Sequence, residues 1–137
     1  MSKYTDKAKQ LRAMTVPHYN CAQAVIVPFA EDLGIDEELL MRMAANFGGG
    51  MRMASVCGSV TGAAMVLGLF GMNDTAKLNE YYRRMKENHG GFVTCADLLK
   101  RSNEMGIPRR EHCDGIIYES IGVVEDILRS EGLLPAE

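Results

Sequence analysis

Residues 47–62 read Phe-Gly-Gly-Gly-Met-Arg-Met-Ala-Ser-Val-Cys-Gly-Ser-Val-Thr-Gly and separate two predicted helices. Three consecutive glycines cost backbone entropy, so they usually serve a turn or a close approach. The helix predicted after them, about residues 55–70, has one side nearly free of bulk, formed by Ser55, Gly58, Ser59, Gly62 and Ala63. Another helix, or a small inorganic group, can therefore approach this backbone beside Cys57. Tight helix packing alone is the competing interpretation. The segment lacks the Gly-Lys-Ser/Thr ending of a phosphate-binding loop.

Helical periodicity continues on both sides of this segment, and no stretch alternates with the period of a strand. The predicted helices cover about residues 4–14, 20–34, 36–46, 55–70, 75–88, a short run from 94, and 109–130. Pro28 is expected to kink the second of them, because its missing N–H removes a backbone hydrogen bond. The sequence therefore predicts an all-α protein, a compact bundle of six or seven helices, in a single domain spanning residues 1–137.

Composition narrows the classes of function. The net charge of -3 and pI near 5.6 give no basic surface, which argues against nucleic-acid binding. The most apolar stretch, residues 56–72, is interrupted by glycines, and the N-terminus lacks the apolar run of a signal peptide. We therefore expect no membrane span and a cytoplasmic location, where thiols stay reduced. A homo-oligomer is compatible with these features.

The chemistry-bearing residues are four cysteines, Cys21, Cys57, Cys95 and Cys113, spaced 36, 38 and 18 residues apart. None forms a Cys-x-x-Cys pair, which argues against zinc-finger and thioredoxin-type motifs. Each lies close to a predicted helix start, where unsatisfied N–H groups and the helix dipole favour thiolate over thiol. Because each also lies on the apolar stripe of its helix, the four are either inert core residues or a cluster that converges in the bundle.

Three functional hypotheses remain open at this point. In the first, Cys57 attacks a disulfide and Cys21 or Cys95 resolves the intermediate, with an unidentified protein or small molecule as redox partner. In the second, the thiolates of Cys21, Cys57, Cys95 and Cys113 hold an iron–sulfur cluster or a zinc ion. In the third, the protein is a non-enzymatic helical binding or assembly module with structural cysteines.

Histidines and methionines give weaker indications. His18 and His112 precede cysteines and are candidates to steady a thiolate or join a metal shell, whereas His89 is expected at a solvated helix end. Several methionines flank the glycine segment: Met41, Met43, Met51, Met53 and Met65. They suit an adaptable apolar surface, but core filling is their simplest role.

These residues resemble a bacterial and archaeal family labelled C_GCAxxG_C_C, whose members carry four cysteines and a Cys-Gly-Ala-x-x-Gly motif. Cys21, in Asn-Cys-Ala-Gln-Ala-Val, matches the first family cysteine, and residues 57–62 match the motif after a Phe-Gly-Gly-Gly segment. Cys95, in Thr-Cys-Ala-Asp-Leu-Leu, and Cys113 match the remaining two. The resemblance covers about residues 19–128, and Ser59 departs from it by replacing the motif's alanine.

The resemblance implies a redox site at the four cysteines without supplying a substrate or a reaction. The enzyme activity that the cysteines themselves suggest is that of a thiol–disulfide oxidoreductase. Gly58, Ser59 and Gly62 lie in the matched motif and on the bare helix side. They are therefore the candidate residues for contact with a cofactor. The Ser59 hydroxyl is expected to add a hydrogen bond near the Cys57 sulfur.

Overall fold

The computed structural model describes residues 2–135, and these form a bundle of helices, so the all-α prediction is confirmed. The helices are α1 (Lys3–Ala13), α2 (Cys21–Ile26), α3 (Ala30–Leu33), α4 (Glu37–Ala44), α5 (Gly58–Leu69), α6 (Thr75–Asn88), α7 (Cys95–Glu104) and α8 (Arg109–Ser130). Within the described residues, β-pairing is limited to one isolated antiparallel bridge between Val56 and Thr94.

The helix boundaries follow local capping chemistry. Asn20 begins α2 by accepting a hydrogen bond from the Gln23 N–H at 2.8 Å, and the Gln23 side chain accepts one from the Asn20 N–H at 2.9 Å. Around Pro28 the chain tightens into a 3₁₀ turn, Val27–Phe29, that links α2 to α3. The helix predicted over residues 20–34 is therefore one continuous helical segment that is interrupted at Pro28, and Gly34 ends it in the left-handed conformation.

The start of α5 was predicted about three residues too early. The chain from Gly49 to Arg52 has φ between 57° and 64°, so it turns left-handed before α5 begins at Gly58. Left-handed backbone costs an L-residue about 1–2 kcal/mol, and glycines at the first two positions avoid that cost. The turn carries Ser55 to the bridge with α7, where its carbonyl accepts a hydrogen bond from the Cys95 N–H at 2.6 Å.

Helix α2 lies in the middle of the bundle, packed against α5 and α8. Val25 of α2 and Phe29 of the 3₁₀ turn after it are fully buried, as are Ile117 and Ile121 of α8. The bare side of α5 faces α2, and a Cβ on Gly62 would lie 3.1 Å from the Ala22 carbonyl oxygen. The interpretation of that side as a close helix contact is therefore correct for Gly62.

Several methionines are not core residues as expected. Met43 on α4, and Met51 and Met53 in the segment before α5, are all largely exposed. None of the helices between residues 2 and 135 combines the length and apolarity needed to cross a bilayer.

Candidate functional site

One cavity of about 410 Å³ is lined by all four cysteines. Cys21 and Cys95 are the first residues of α2 and α7, and Cys57 is the residue that precedes α5. Cys113 lies in the second turn of α8, which begins at Arg109 as predicted. The other lining residues are Arg12, His18, Asn20, Gly49, Gly58, Leu98, Leu99, Arg109, Arg110, His112 and Ile116. The fold thus brings together cysteines that the sequence separates widely.

Gly58 sets the distance between α2 and the Cys57 end of α5. A Cβ at this position would lie 2.5 Å from the Cys21 Sγ and 2.7 Å from the Phe47 carbonyl oxygen. The Cys21 sulfur therefore occupies the space that a side chain would fill, directly beside Cys57. The motif glycine is needed here for a sulfur to approach the backbone.

The glycine segment also holds Cys95. A Cβ on Gly50 would lie 2.9 Å from the Cys95 Cβ, and the Cys57 N–H donates to the Val93 carbonyl at 2.8 Å. Thr94 caps α7 by accepting from the Asp97 N–H, as predicted. The backbone bridge therefore joins the segment before α5 to the segment before α7, with a cysteine at the end of each.

The predicted preference for thiolate is wrong for three of the cysteines, because burial outweighs the helix-start effect. Cys57 is 6% exposed, and burial raises its pKa from 9.0 to about 11. Hydrogen bonds from the Ser59 and Val60 N–H groups, and from the Ser59 hydroxyl, lower that pKa without reversing the shift. Burial likewise raises the pKa of Cys95 and of Cys113.

Cys21 is the electrostatic centre of the four thiols. Next to burial, a charge on Cys21 is the strongest influence that raises the pKa of Cys57, of Cys95 and of Cys113. Arg109 acts in the opposite direction and lowers the pKa of Cys95 and Cys113. Since Coulomb interactions of this kind require proximity, Cys21 lies near each of the other three thiols.

Ser59, the departure from the family motif, is fully buried. Among residues 2–135 its hydroxyl makes no hydrogen bond of normal geometry while Cys57 is a thiol, and it acts as a donor only to the Cys57 thiolate. A buried donor left unpaired costs about 1–3 kcal/mol. We expect Ser59→Ala to stabilise the reduced protein by about 1 kcal/mol, because it removes that cost. The same change should raise the pKa of Cys57, since the thiolate loses a donor. Urea unfolding and thiolate absorbance titration measure the two effects.

Ser120→Ala is the matched control. Ser120 is also fully buried, but its hydroxyl donates to the Ile117 carbonyl at 2.9 Å, so its removal should bring no gain in stability. If Ser59→Ala loses as much stability as Ser120→Ala, the Ser59 hydroxyl has a partner in the folded protein and the prediction is wrong.

A buried arginine fixes the wall of the cavity, and no sequence pattern indicated it. Arg12 is 8% exposed, and its Nε lies 2.7 Å from the Asp114 Oδ1. It also donates to the Tyr19 carbonyl at 2.9 Å, while Arg110 donates to the Arg12 carbonyl. These bonds tie α1 to the chain before α2 and to the first turns of α8. Arg12 lies on a different helix from every cysteine, so no spacing pattern could have identified it.

Two of the histidines lie at the cavity, and the third is not solvated as predicted. His18 and His112 line the cavity, and burial lowers the pKa of His112, which favours the neutral ring. His89 is not at a solvated helix end. Its Nε2 lies 2.9 Å from the Glu119 Oε2, and most of its side chain is buried. This contact holds the end of α6 against α8.

No metal-ligand set is formed in residues 2–135, because no three side chains among histidine, cysteine, aspartate and glutamate are close enough to share an ion. All four thiols are free. Of the three residues considered for cofactor contact, only Gly58 lines the cavity, whereas Ser59 and Gly62 are buried, with Gly62 packed against α2.

Comparison with known proteins gives one match. The family model described as "Putative redox-active protein (C_GCAxxG_C_C)" matches residues 19–127, which include all four cysteines. No curated protein and no solved structure matches the chain significantly.

Proposed function

The chain belongs to the C_GCAxxG_C_C family of redox-active proteins, and on that premise we propose that it is a dithiol oxidoreductase in which Cys21 attacks and Cys57 resolves. The observation that carries the proposal is the shared cavity, which all four cysteines line and in which the Cys21 sulfur lies against Gly58, the residue next to Cys57. This assignment reverses the roles expected from the sequence, because Cys57 is too deeply buried to meet a substrate first.

The reaction transfers two electrons. The Cys21 thiolate attacks one sulfur of a small disulfide R–S–S–R, which forms a Cys21–S–S–R bond and releases one R–S⁻. The Cys57 thiol then loses its proton to solvent and attacks the Cys21 sulfur, which forms the Cys21–Cys57 disulfide and releases the second R–S⁻. Two protein thiols are oxidised, and the substrate disulfide is reduced to two thiols.

The electrostatics of the pair support this order of events. The Cys21 charge is one cause of the raised pKa of Cys57. Once Cys21 enters a mixed disulfide it can carry no charge, so one of the two causes that raise the pKa of Cys57 is removed, while burial remains. The Ser59 and Val60 N–H groups at the start of α5 then stabilise the Cys57 thiolate. Cys57 therefore ionises more readily after Cys21 has formed the intermediate than before it.

The test uses reduced protein, bis-hydroxyethyl disulfide as the probe, and peptide mass spectrometry of the products. The wild type should form a Cys21–Cys57 linkage. Cys57→Ser should stop at a stable hydroxyethyl adduct on Cys21, and Cys21→Ser should leave Cys57 unmodified. Helical circular dichroism checks that both variants remain folded.

Three outcomes contradict the proposal. An adduct on Cys57 in folded Cys21→Ser would restore the opposite order of attack. Stoichiometric iron or zinc after anaerobic purification, with the thiols protected from the probe, would favour the metal centre. Folded protein in which no thiol reacts would favour a non-enzymatic binding module with structural cysteines.

A further inference from the structure

The charge of the cavity indicates what enters it. Among the described residues that line it, none is acidic, although the whole chain has a net charge of -3. The charged lining residues are Arg12, Arg109 and Arg110. A cavity lined by one sign of charge in a protein of the opposite net charge selects ligands electrostatically.

These arginines are only partly neutralised by their neighbours. Arg12 and Arg110 share a single carboxylate, that of Asp114, at 2.7 Å and 3.2 Å. Arg109 is exposed at the cavity and forms no ion pair with any carboxylate among residues 2–135. Three guanidinium groups therefore face one carboxylate, and the excess positive charge lies on the open side of the cavity. Guanidinium groups bind carboxylates and phosphates through paired hydrogen bonds.

Two helix starts add to this field. Neither α5 nor α8 has a side-chain cap in the described structure, and their first residues, Gly58 and Arg109, both line the cavity. The positive ends of both helix dipoles therefore favour negative charge in the same space as the arginines. The cavity volume of about 410 Å³ suits a small molecule.

We propose that the substrate of this dithiol is a low-molecular-weight anionic disulfide, whose carboxylate is bound by Arg109 and Arg110 while its sulfur pair faces Cys21. This inference rests on the proposed function, because it uses the same attack by Cys21 and resolution by Cys57. The arginines bind and orient the anion, and the cysteines carry the two electrons. In the reverse direction, the same site would hold the product thiols as anions.

The test compares three small disulfides that differ mainly in charge: dithiodipropionate, bis-hydroxyethyl disulfide and cystamine. Each rate of oxidation of Cys21 is divided by the rate of the same disulfide with mercaptoethanol, which corrects for intrinsic reactivity. We expect the dianion to react about tenfold faster than the neutral compound and the dication to be slowest. The preference should shrink as ionic strength rises.

Arg109→Gln should remove most of this preference, measured as the ratio of the corrected rates for the dianionic and the neutral disulfide, since the charge recognition is lost. Arg83→Gln is the matched control. Arg83 is exposed on α6 and paired with Glu87 at 2.9 Å, so its loss should leave the preference unchanged.

The failure of this inference is distinguishable from failure of the proposed function. Equal corrected rates for the three disulfides, or a preference for cystamine, would overturn the anionic substrate. An equal preference for the dianionic disulfide in Arg109→Gln and Arg83→Gln would also overturn the anionic substrate. If the neutral disulfide still yields the Cys21–Cys57 linkage, the dithiol function stands. If no disulfide oxidises Cys21 in folded protein, the dithiol function itself fails.

Discussion

Gly58→Ala is expected to destabilise the protein by about 2–3 kcal/mol and to slow formation of the Cys21–Cys57 disulfide, because the added methyl group overlaps both sulfur and backbone. The new Cβ would lie 2.5 Å from the Cys21 Sγ and 2.7 Å from the Phe47 carbonyl oxygen. A flexible side chain can move away from such a contact, but a carbonyl held in the turn before α5 cannot. The helix start must shift, and with it the position of Cys57.

Space, rather than backbone conformation, is the reason for glycine at this position. Gly58 is the first residue of α5 and has no positive φ, so an alanine there would be unstrained if the neighbours were absent. Adding Cys21→Ala to Gly58→Ala should recover only part of the lost stability, since the overlap with Phe47 remains. Urea unfolding of the two single variants and the double variant gives this coupling directly.

Gly68→Ala is the matched control in the same helix. No described atom lies within 4 Å of where its Cβ would be, so alanine should stabilise α5 by about 0.5–1 kcal/mol. Equal effects of Gly58→Ala and Gly68→Ala would mean that the Cys21 sulfur does not occupy the space beside Gly58. The site geometry described above would then be wrong.

The helices were largely predictable because their signals are local. Thr75–Asn88 and Arg109–Ser130 match the expected spans, and Asn20 caps α2 through the predicted partner Gln23. The start of α5 was not predictable, because backbone hydrogen bonds to the segment before α7 hold residues 55–57 outside the helix: the Ser55 carbonyl accepts from the Cys95 N–H, and the Cys57 N–H donates to the Val93 carbonyl. There, tertiary contacts override the local conformational preference, and such contacts leave no periodic pattern of apolar residues in the sequence.

The candidate site was predictable in its residues but not in its chemistry. Helix-start placement and the family resemblance both pointed to the four cysteines, yet the sequence could not show how deeply each is buried. Burial decides the pKa of Cys57, and it is a property of the assembled bundle. For the same reason, the buried Arg12 entered the site only through packing of α1 against α8.

Cys57 is expected to make the stability of the protein fall with rising pH between about 9 and 11. Its pKa is raised in the folded state from 9.0 to about 11 by burial. Below pH 9 the thiol is protonated in both folded and unfolded chains, so the full stability is present. Between pH 9 and 11 only the unfolded chain loses this proton, and each pH unit then lowers the free energy of unfolding by about 1.4 kcal/mol. The total loss attributable to Cys57 is about 3 kcal/mol.

Cys57→Ala isolates this contribution, because it removes the titrating group and retains every other one, including the buried Tyr81. Urea unfolding of both proteins under reducing conditions from pH 7 to 11 gives the free energy of unfolding as a function of pH. The two curves should converge as pH rises, because only the wild type loses stability through ionisation of Cys57. Parallel curves would show that Cys57 ionises at its ordinary pKa in the folded protein. An accessible, readily ionised Cys57 could then attack a disulfide directly, and the assignment of the first attack to Cys21 would lose its physical basis.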